Sequence, residues 1–277
     1  VPDYRNPFIV GGPVPPERFI GRKREVKDIL DRLANPAHGS TAVSGEVRIG
    51  KTSLLHYISS PEIAEKWGLS PEKCTFIFVD SQTIDRFSPK GFWRYVLKSL
   101  AARKAHDPGY IDGLLQGDDV GDFELGELFD RIARDDKRVV LLLDEFEHIV
   151  EQVNPDDPGF LNLLRALISR PAHGLALVLA SRKPLHALCQ NMRFVGSPFP
   201  ASFTLLSLGP FSPEEANELM DVYTQGTGVT FSDKDKEFAY EISVGHPYQL
   251  QKGCSKLFQR HLEKMAQRRN ENESGRF

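Results

Sequence analysis

The chain has 277 residues, 40% hydrophobic and 26% charged, an ordinary globular composition that suits one large domain or a larger and a smaller one. Its net charge of −3 supplies no global attraction for nucleic acid and leaves room only for a local basic patch. No apolar run reaches the length of a membrane span and no secretory signal is visible, so no membrane partner is expected.

Val1-Pro2-Asp3-Tyr4 matches the remnant of an epitope tag and carries no functional weight. A lead-in rich in Pro and Gly follows, and Phe19-Ile20-Gly21-Arg22 opens a helical stretch. Val26, Ile29, Leu30 and Leu33 form its apolar face, and Asn35-Pro36 ends it. Strands are expected at 41–44, 74–79, 139–143, 175–180 and 203–208. Several are nearly continuous apolar runs, as parallel strands covered on both faces require.

Helical patterns separate them: one after Ser88-Pro89 carrying Phe92, Trp93, Val96, Leu97 and Leu100, one over about 123–133, and one over about 160–168. The stretch 106–122, rich in Gly and Asp, reads as a mobile acidic connector. Beyond Gly209-Pro210 the pattern becomes helical. Ser212-Pro213-Glu214-Glu215 is a helix start with a capping-box Glu, and further helices are expected over 233–243 and from Pro247 past Leu262, before a frayed tail from Arg268. The organisation expected is a lead-in over 1–18, an α/β core over 19–209 and a helical lid over 210–277.

Gly45-Glu46-Val47-Arg48-Ile49-Gly50-Lys51-Thr52 is a complete G-x-x-x-x-G-K-[ST] phosphate loop, entered from a strand and left by a helix with Leu54, Leu55 and Ile58 at helical spacing. Its glycines let the backbone curl so that consecutive N–H groups surround a β-phosphate at the positive end of the helix. Gly45, Arg48, Ile49, Gly50, Lys51, Thr52 and Ser53 are therefore the nucleotide-binding candidates. Lys51 reaches the β- and γ-phosphates, and the Thr52 hydroxyl ligates Mg²⁺. Val139 to Leu143 then delivers Asp144-Glu145 as a Walker-B pattern. Asp144 would hold Mg²⁺ mostly through water, and Glu145 would polarise the attacking water.

The remaining signals are weaker. Arg182, after the next strand, is either a γ-phosphate sensor or a loop arginine paired with a surface carboxylate. Asp80 reads as a helix cap, His148 as solvated or partner-facing, and Arg165 and Arg170 as surface charge before arginine fingers. Gly245-His246-Pro247 is explained by a turn with a first-turn Pro. Cys74, Cys189 and Cys254, odd in number and far apart, suggest neither a disulfide framework nor a zinc site. A reducing cytoplasm is the compartment expected.

Together, Phe19-Ile20-Gly21-Arg22, the phosphate loop, Asp144-Glu145, Ser181-Arg182 and Gly245-His246-Pro247-Tyr248 resemble the STAND-type P-loop ATPases. These are signal-transduction ATPases related to the AAA+ and origin-recognition ATPases, and the resemblance runs over about 19–257. It implies an α/β P-loop NTPase core with a parallel five-stranded sheet in the order 5-1-4-3-2, flanked by helices, and a small all-helical lid. It also implies ATP and ADP as ligands, with Ile20, Gly21 and Arg22 bordering the adenine and Pro247 approaching the nucleotide from the lid. Such proteins are closed with ADP and active after exchange for ATP and oligomerisation.

The chain lacks the effector and sensor domains that members usually carry, which suggests an excised module whose partners are further copies of itself or such domains. Gly245-His246-Pro247 occupies the place of an AAA+ lid arginine, favouring a switch over a processive motor. Two other functions compete. A DNA-associated AAA+-like ATPase of the initiator or transposition-regulator kind needs a basic surface and usually a winged helix. Here the C-terminal pattern has no β-hairpin, and Lys264, Arg268 and Arg269 are the only basic cluster. A scaffold with a structural nucleotide is opposed by the intact Lys51, Asp144 and Glu145. A small-molecule kinase fits poorly because no acceptor pocket can be named.

Overall fold

The computed structural model describes residues 5–35, 39–103, 106–117, 120–172 and 174–274, with side chains as far as Gln267. In chain order the strands are β1 (Ser40–Gly45), β2 (Cys74–Asp80), β3 (Arg138–Asp144), β4 (Leu175–Ser181) and β5 (Phe203–Leu208). The helices are α1 (Lys23–Ala34), α2 (Lys51–Ile58), α3 (Pro61–Ala64), α4 (Pro89–Arg103), α5 (Pro108–Gln116) and α6 (Asp122–Arg134). They continue as α7 (Glu147–Val150), α8 (Gly159–Ile168), α9 (Leu185–Leu188), α10 (Pro213–Thr224), α11 (Asp233–Ser243) and α12 (Pro247–Ser274).

The strands form one sheet in the order β2-β3-β4-β1-β5, with every pairing parallel. This is the 5-1-4-3-2 order that the resemblance implied. The register sets Asp80 opposite Asp144, and Ser44 opposite both Ser181 and Ser207. Because all five strands run the same way, their carboxyl ends line one edge, where open α/β sheets bind ligands.

The chain divides into two compact units. One holds 24–46 and 54–208, and the other holds the described parts of 1–23, 47–53 and 209–277. In the first, Leu141, Leu143, Leu177 and Leu179 of the central strands are shut off from solvent with Trp93, Leu97, Phe129 and Leu164 from α4, α6 and α8. Each such burial contributes about 1.5–3 kcal/mol. In the second, Phe211, Leu219, Met220, Phe231, Leu250 and Phe258 form a separate core. The Pro/Gly-rich lead-in contributes to it: Phe8 stacks on Tyr223 and Phe231 at centroid distances of 5.5 and 5.8 Å, and Asn6 Nδ2 donates to Ser255 O.

Two sequence expectations need correction. Most of 106–122 is not a connector but α5. Asp107 Oδ1 accepts the Tyr110 N–H at 3.1 Å, Pro108 opens the helix, and Ile111 is fully buried with Leu114 and Leu115 packed beside it. The Gly and Asp content concealed this i, i+3, i+4 apolar stripe; Asp118 and Asp119 lie outside the described residues. The first helix also starts at Lys23 and not at Phe19, because Gly21 and Arg22 have φ of 74° and 60°, which no helix accommodates.

All three cysteines are buried and free, their thiols pushed up by burial to about 12, 11 and 12 for Cys74, Cys189 and Cys254. They stay protonated at neutral pH and are inert. None of the described helices is long and apolar enough to cross a membrane.

Gly174 precedes β4, and its carbonyl accepts the Val139 N–H at 2.9 Å. A Cβ there would lie 1.9 Å from Phe129 O in the backbone of α6, which cannot turn aside. Gly174→Ala should therefore lower stability by at least ~1–3 kcal/mol. Thermal denaturation checks this, and an unchanged melting temperature would contradict the close approach.

Candidate functional site: a phosphate loop and a carboxylate edge

The phosphate loop leaves β1 at Gly45. Its turn is made by residues that most side chains could not replace freely, since Arg48 has φ of 63° and Gly50 of 104°. Nothing would touch a Cβ on Gly50, so the backbone angle alone selects glycine there. Ile49 is 1% exposed and anchors the turn, while Lys51 and Thr52 begin α2, with Lys51 only 4% exposed. Ser53 is also buried, and its Oγ accepts the Val14 N–H at 3.0 Å.

The loop's unit also contains Ile20-Gly21-Arg22 and the helices α10 to α12, and side chains from both hold the loop. Arg22 is 4% exposed; its Nη2 donates to Gly209 O at 2.5 Å and to Ile49 O at 3.4 Å, and its guanidinium lies 4.7 Å from the Phe211 ring centre. The Arg22 N–H donates to Glu215 Oε1 at 2.6 Å. Glu215 Oε2 meanwhile accepts the Ser212 N–H in the capping box of α10. Gly21 is favoured here, because its φ is left-handed and a Cβ would come within 2.8 Å of Glu215 Oε1.

From the other side, His246 Nε2 lies 3.3 Å from Val47 O, and Arg48 stacks over the Tyr248 ring at 4.3 Å. Gly245 makes that turn possible: its carbonyl accepts the Phe211 N–H at 2.8 Å, and a Cβ would sit 2.3 Å from Phe211 O. Pro247 is half-buried at the first position of α12.

In the other unit, Asp144 ends β3 at 3% exposure, and its Oδ1 accepts the Glu145 N–H at 3.0 Å. Glu145 takes a φ of 48°, a left-handed conformation of the kind concentrated at functional sites. Arg182, after β4, places its Nε 3.3 Å from Glu145 Oε2 and 3.3 Å from Glu147 Oε1. Its backbone N–H donates to Glu147 Oε1 at 3.2 Å. Glu147 lies outside the Walker-B pattern, although the sequence carries it as a third carboxylate two residues beyond the pair. It is 6% exposed, and burial, reinforced by the Glu145 charge, raises its pKa above the usual carboxylate range.

The secondary candidates divide. Asp80 Oδ1 accepts the Gln82 N–H at 3.0 Å and caps a short 3₁₀ turn, its expected role. Arg170 forms a two-point ion pair with Asp130, with Nε–Oδ1 at 2.8 Å, so its head group is fixed within its own unit. Arg165 and His148 are half-buried, each with one ring or guanidinium nitrogen buried and unpaired. Lys264 is exposed, and the side chains of Arg268 and Arg269 lie outside those described.

Arg22→Met would leave Ile49 O and Gly209 O without this donor. A loss of about 1–3 kcal/mol is expected in urea denaturation, with Arg22→Lys only partly restoring it because a point charge lacks the planar fork. Equal stability of the Met variant and the parent would show that Arg22 does not brace the loop.

No curated protein matches the chain by sequence. Among solved structures it is similar to the Walker-type ATPase PABY2304 of Pyrococcus abyssi, at a TM-score of 0.67 and 15% identity over 98% of this chain and 78% of that one. It is also similar to the Aeropyrum pernix ORC2 protein in its ADPNP-ADP complexes, at 0.60 and 16% over 91% and 65%. The ORC1 protein of that organism, in complex with DNA, matches at 0.55 and 15% over 91% and 61%. These likenesses are in fold: a P-loop ATPase sheet with its helices. The family model for Novel STAND NTPase 1 matches residues 14–274, and with the phosphate loop and the Asp144-Glu145 edge in place the chain belongs to that family of P-loop NTPases.

Proposed function

We propose that this NTPase is a Mg²⁺-dependent ATP-hydrolysing switch. The observation that carries this reading is the direct fastening of the phosphate loop to the C-terminal helices, through His246 to Val47 O, Arg48 to Tyr248, and Arg22 to both Ile49 O and Gly209 O. A loop that reshapes on binding phosphate must disturb those ties, so the lid helices sense occupancy.

In this reading Lys51 neutralises the β- and γ-phosphates, and the loop N–H groups receive the phosphate oxygens. Thr52 and Asp144 offer an all-oxygen donor set, a hydroxyl and a strand-end carboxylate, of the hard kind that suits Mg²⁺. When bound, the ion supplies charge neutralisation at the phosphates. Glu145 accepts the proton of a water whose oxygen bonds to the γ-phosphorus. The bond from that phosphorus to the β–γ bridging oxygen breaks, giving ADP and phosphate. Arg182 contacts the γ-phosphate. Ile20, Gly21 and Arg22 border the base, and Pro247 approaches the nucleotide from the lid. The cytoplasm is the proposed location, and further copies or effector and sensor domains are the proposed partners. DNA binding by the Aeropyrum ORC1 protein is that protein's own property and is not carried over to this chain.

Lys51→Ala should weaken ATP binding more than ADP binding, because the ammonium bridges both terminal phosphates; unchanged ATP affinity by calorimetry would remove the site assignment. Glu145→Gln should bind ATP near-normally while single-turnover hydrolysis falls on the order of 10²-fold or more. With ATP and Mg²⁺ that variant should show a larger mass or radius of gyration than with ADP. Identical scattering in the two states would move the structural-nucleotide reading ahead of the switch.

A further inference from the structure

The Glu145–Arg182–Glu147 cluster holds more carboxylate than the proposed chemistry uses. Glu145 has the role of base, and Arg182 that of phosphate contact. Glu147 has no role, yet it is the most buried of the three. Its Oε1 carries both interactions with Arg182, the backbone N–H at 3.2 Å and the Nε at 3.3 Å. Its Oε2 is buried and has no hydrogen-bond partner.

A saturated structural ion pair would look different. Arginine and carboxylate pair best through two parallel bonds, and Arg170 and Asp130 elsewhere in this unit pair in that way with both carboxylate oxygens engaged. At Arg182 one nitrogen is shared between two carboxylates at longer range, and the side chain is 48% exposed. The guanidinium is thus held loosely, by charge more than by geometry, and has room to leave. The backbone is not loose: the Phe146 N–H donates to Ala180 O at 2.9 Å, locking the segment after β3 to β4. What can move is the head of Arg182.

We infer that Glu147 is a positioning residue that holds Arg182 on the carboxylates and away from the nucleotide. A γ-phosphate must compete with Glu147 and Glu145 for one guanidinium, and the two carboxylates set how strongly ATP is preferred over ADP. ADP offers no γ-phosphate and leaves Arg182 where it is, masking Glu145. This rests on the ATP-switch reading above.

The test is a double-mutant cycle read as nucleotide affinity. Glu147→Gln keeps the shape and an oxygen able to accept the Arg182 N–H, but removes the charge that holds the guanidinium. It should tighten binding of a non-hydrolysable ATP analogue on the order of fivefold and leave ADP affinity unchanged. Arg182→Ala, at the exposed end of the pair, should lower the analogue-to-ADP preference. In that background Glu147→Gln should change nothing further. A merely structural Glu147 would instead weaken both nucleotides alike, with or without Arg182. Equal shifts for the two nucleotides, or a gain that persists without Arg182, would overturn the inference while leaving the switch standing. Failure of the parent protein to bind either nucleotide would overturn both.

Discussion

A buried guanidinium cannot shed its charge, and this constraint organises the loop and the helices behind it. Arg22 is almost wholly enclosed, and its guanidinium carries donors and no acceptor, so its N–H groups require oxygen. It finds Ile49 O in the phosphate loop and Gly209 O where the C-terminal segment begins, with the Phe211 ring beneath. Two segments far apart in sequence thus share one donor. Displacing either would leave a carbonyl unpaired or strip an acceptor from the cation. The glycine before Arg22 follows from the same packing, since it lets the chain pass close to Glu215 at an angle a side chain resists. Glu215 in turn serves two purposes, closing the capping box of α10 and receiving the Arg22 N–H.

Backbone strain marks the same places. Among the described residues, five that are not glycine have positive φ: Arg22, Arg48, Asp136, Glu145 and Val244. Four of them lie in or beside the segments that carry the proposed chemistry. Val244 is the most telling, because a β-branched side chain strongly disfavours the left-handed region. It ends α11 one residue before Gly245, whose carbonyl must meet the Phe211 N–H. Such angles persist only where surrounding contacts over-determine them, and here those contacts are the ties that hold the loop and its flanking turn.

Much of this was legible in the sequence, and what escaped did so for physical reasons. The strands over 139–143 and 175–180 are continuous apolar runs because both faces of a central parallel strand are covered, and the structure extends them only by a residue or so at the ends. The capping box at Ser212 is local chemistry and was found where it was read. The helix α5 was hidden because composition averages over residues, whereas a helix needs only one stripe, here Ile111, Leu114 and Leu115. The second use of Glu215, the stacking of Arg48 on Tyr248 and the place of Phe8 in a helical core join residues far apart in the chain, and no spacing rule reaches them. Glu147 was written beside the motif, but its importance lies in burial, which a single sequence does not display.

The two halves of the proposed site respond to different properties of a ligand. The ties on the loop run largely to backbone carbonyls, Val47 O and Ile49 O, so they register the path of the chain. The cluster at Arg182 is built from formal charges, so it registers charge. ADP and ATP occupy a phosphate loop in much the same way and differ by one phosphate group. On the proposed reading, then, loop geometry reports that a nucleotide is present, and the shared arginine reports which one. Neither element suffices for a switch, because occupancy alone does not distinguish the nucleotides, and a charge sensor without ties to the loop would have nothing to move. The ties at Arg22, Arg48 and His246 join the loop to the C-terminal helices within one compact unit of the chain, and the Arg182 cluster belongs to the other.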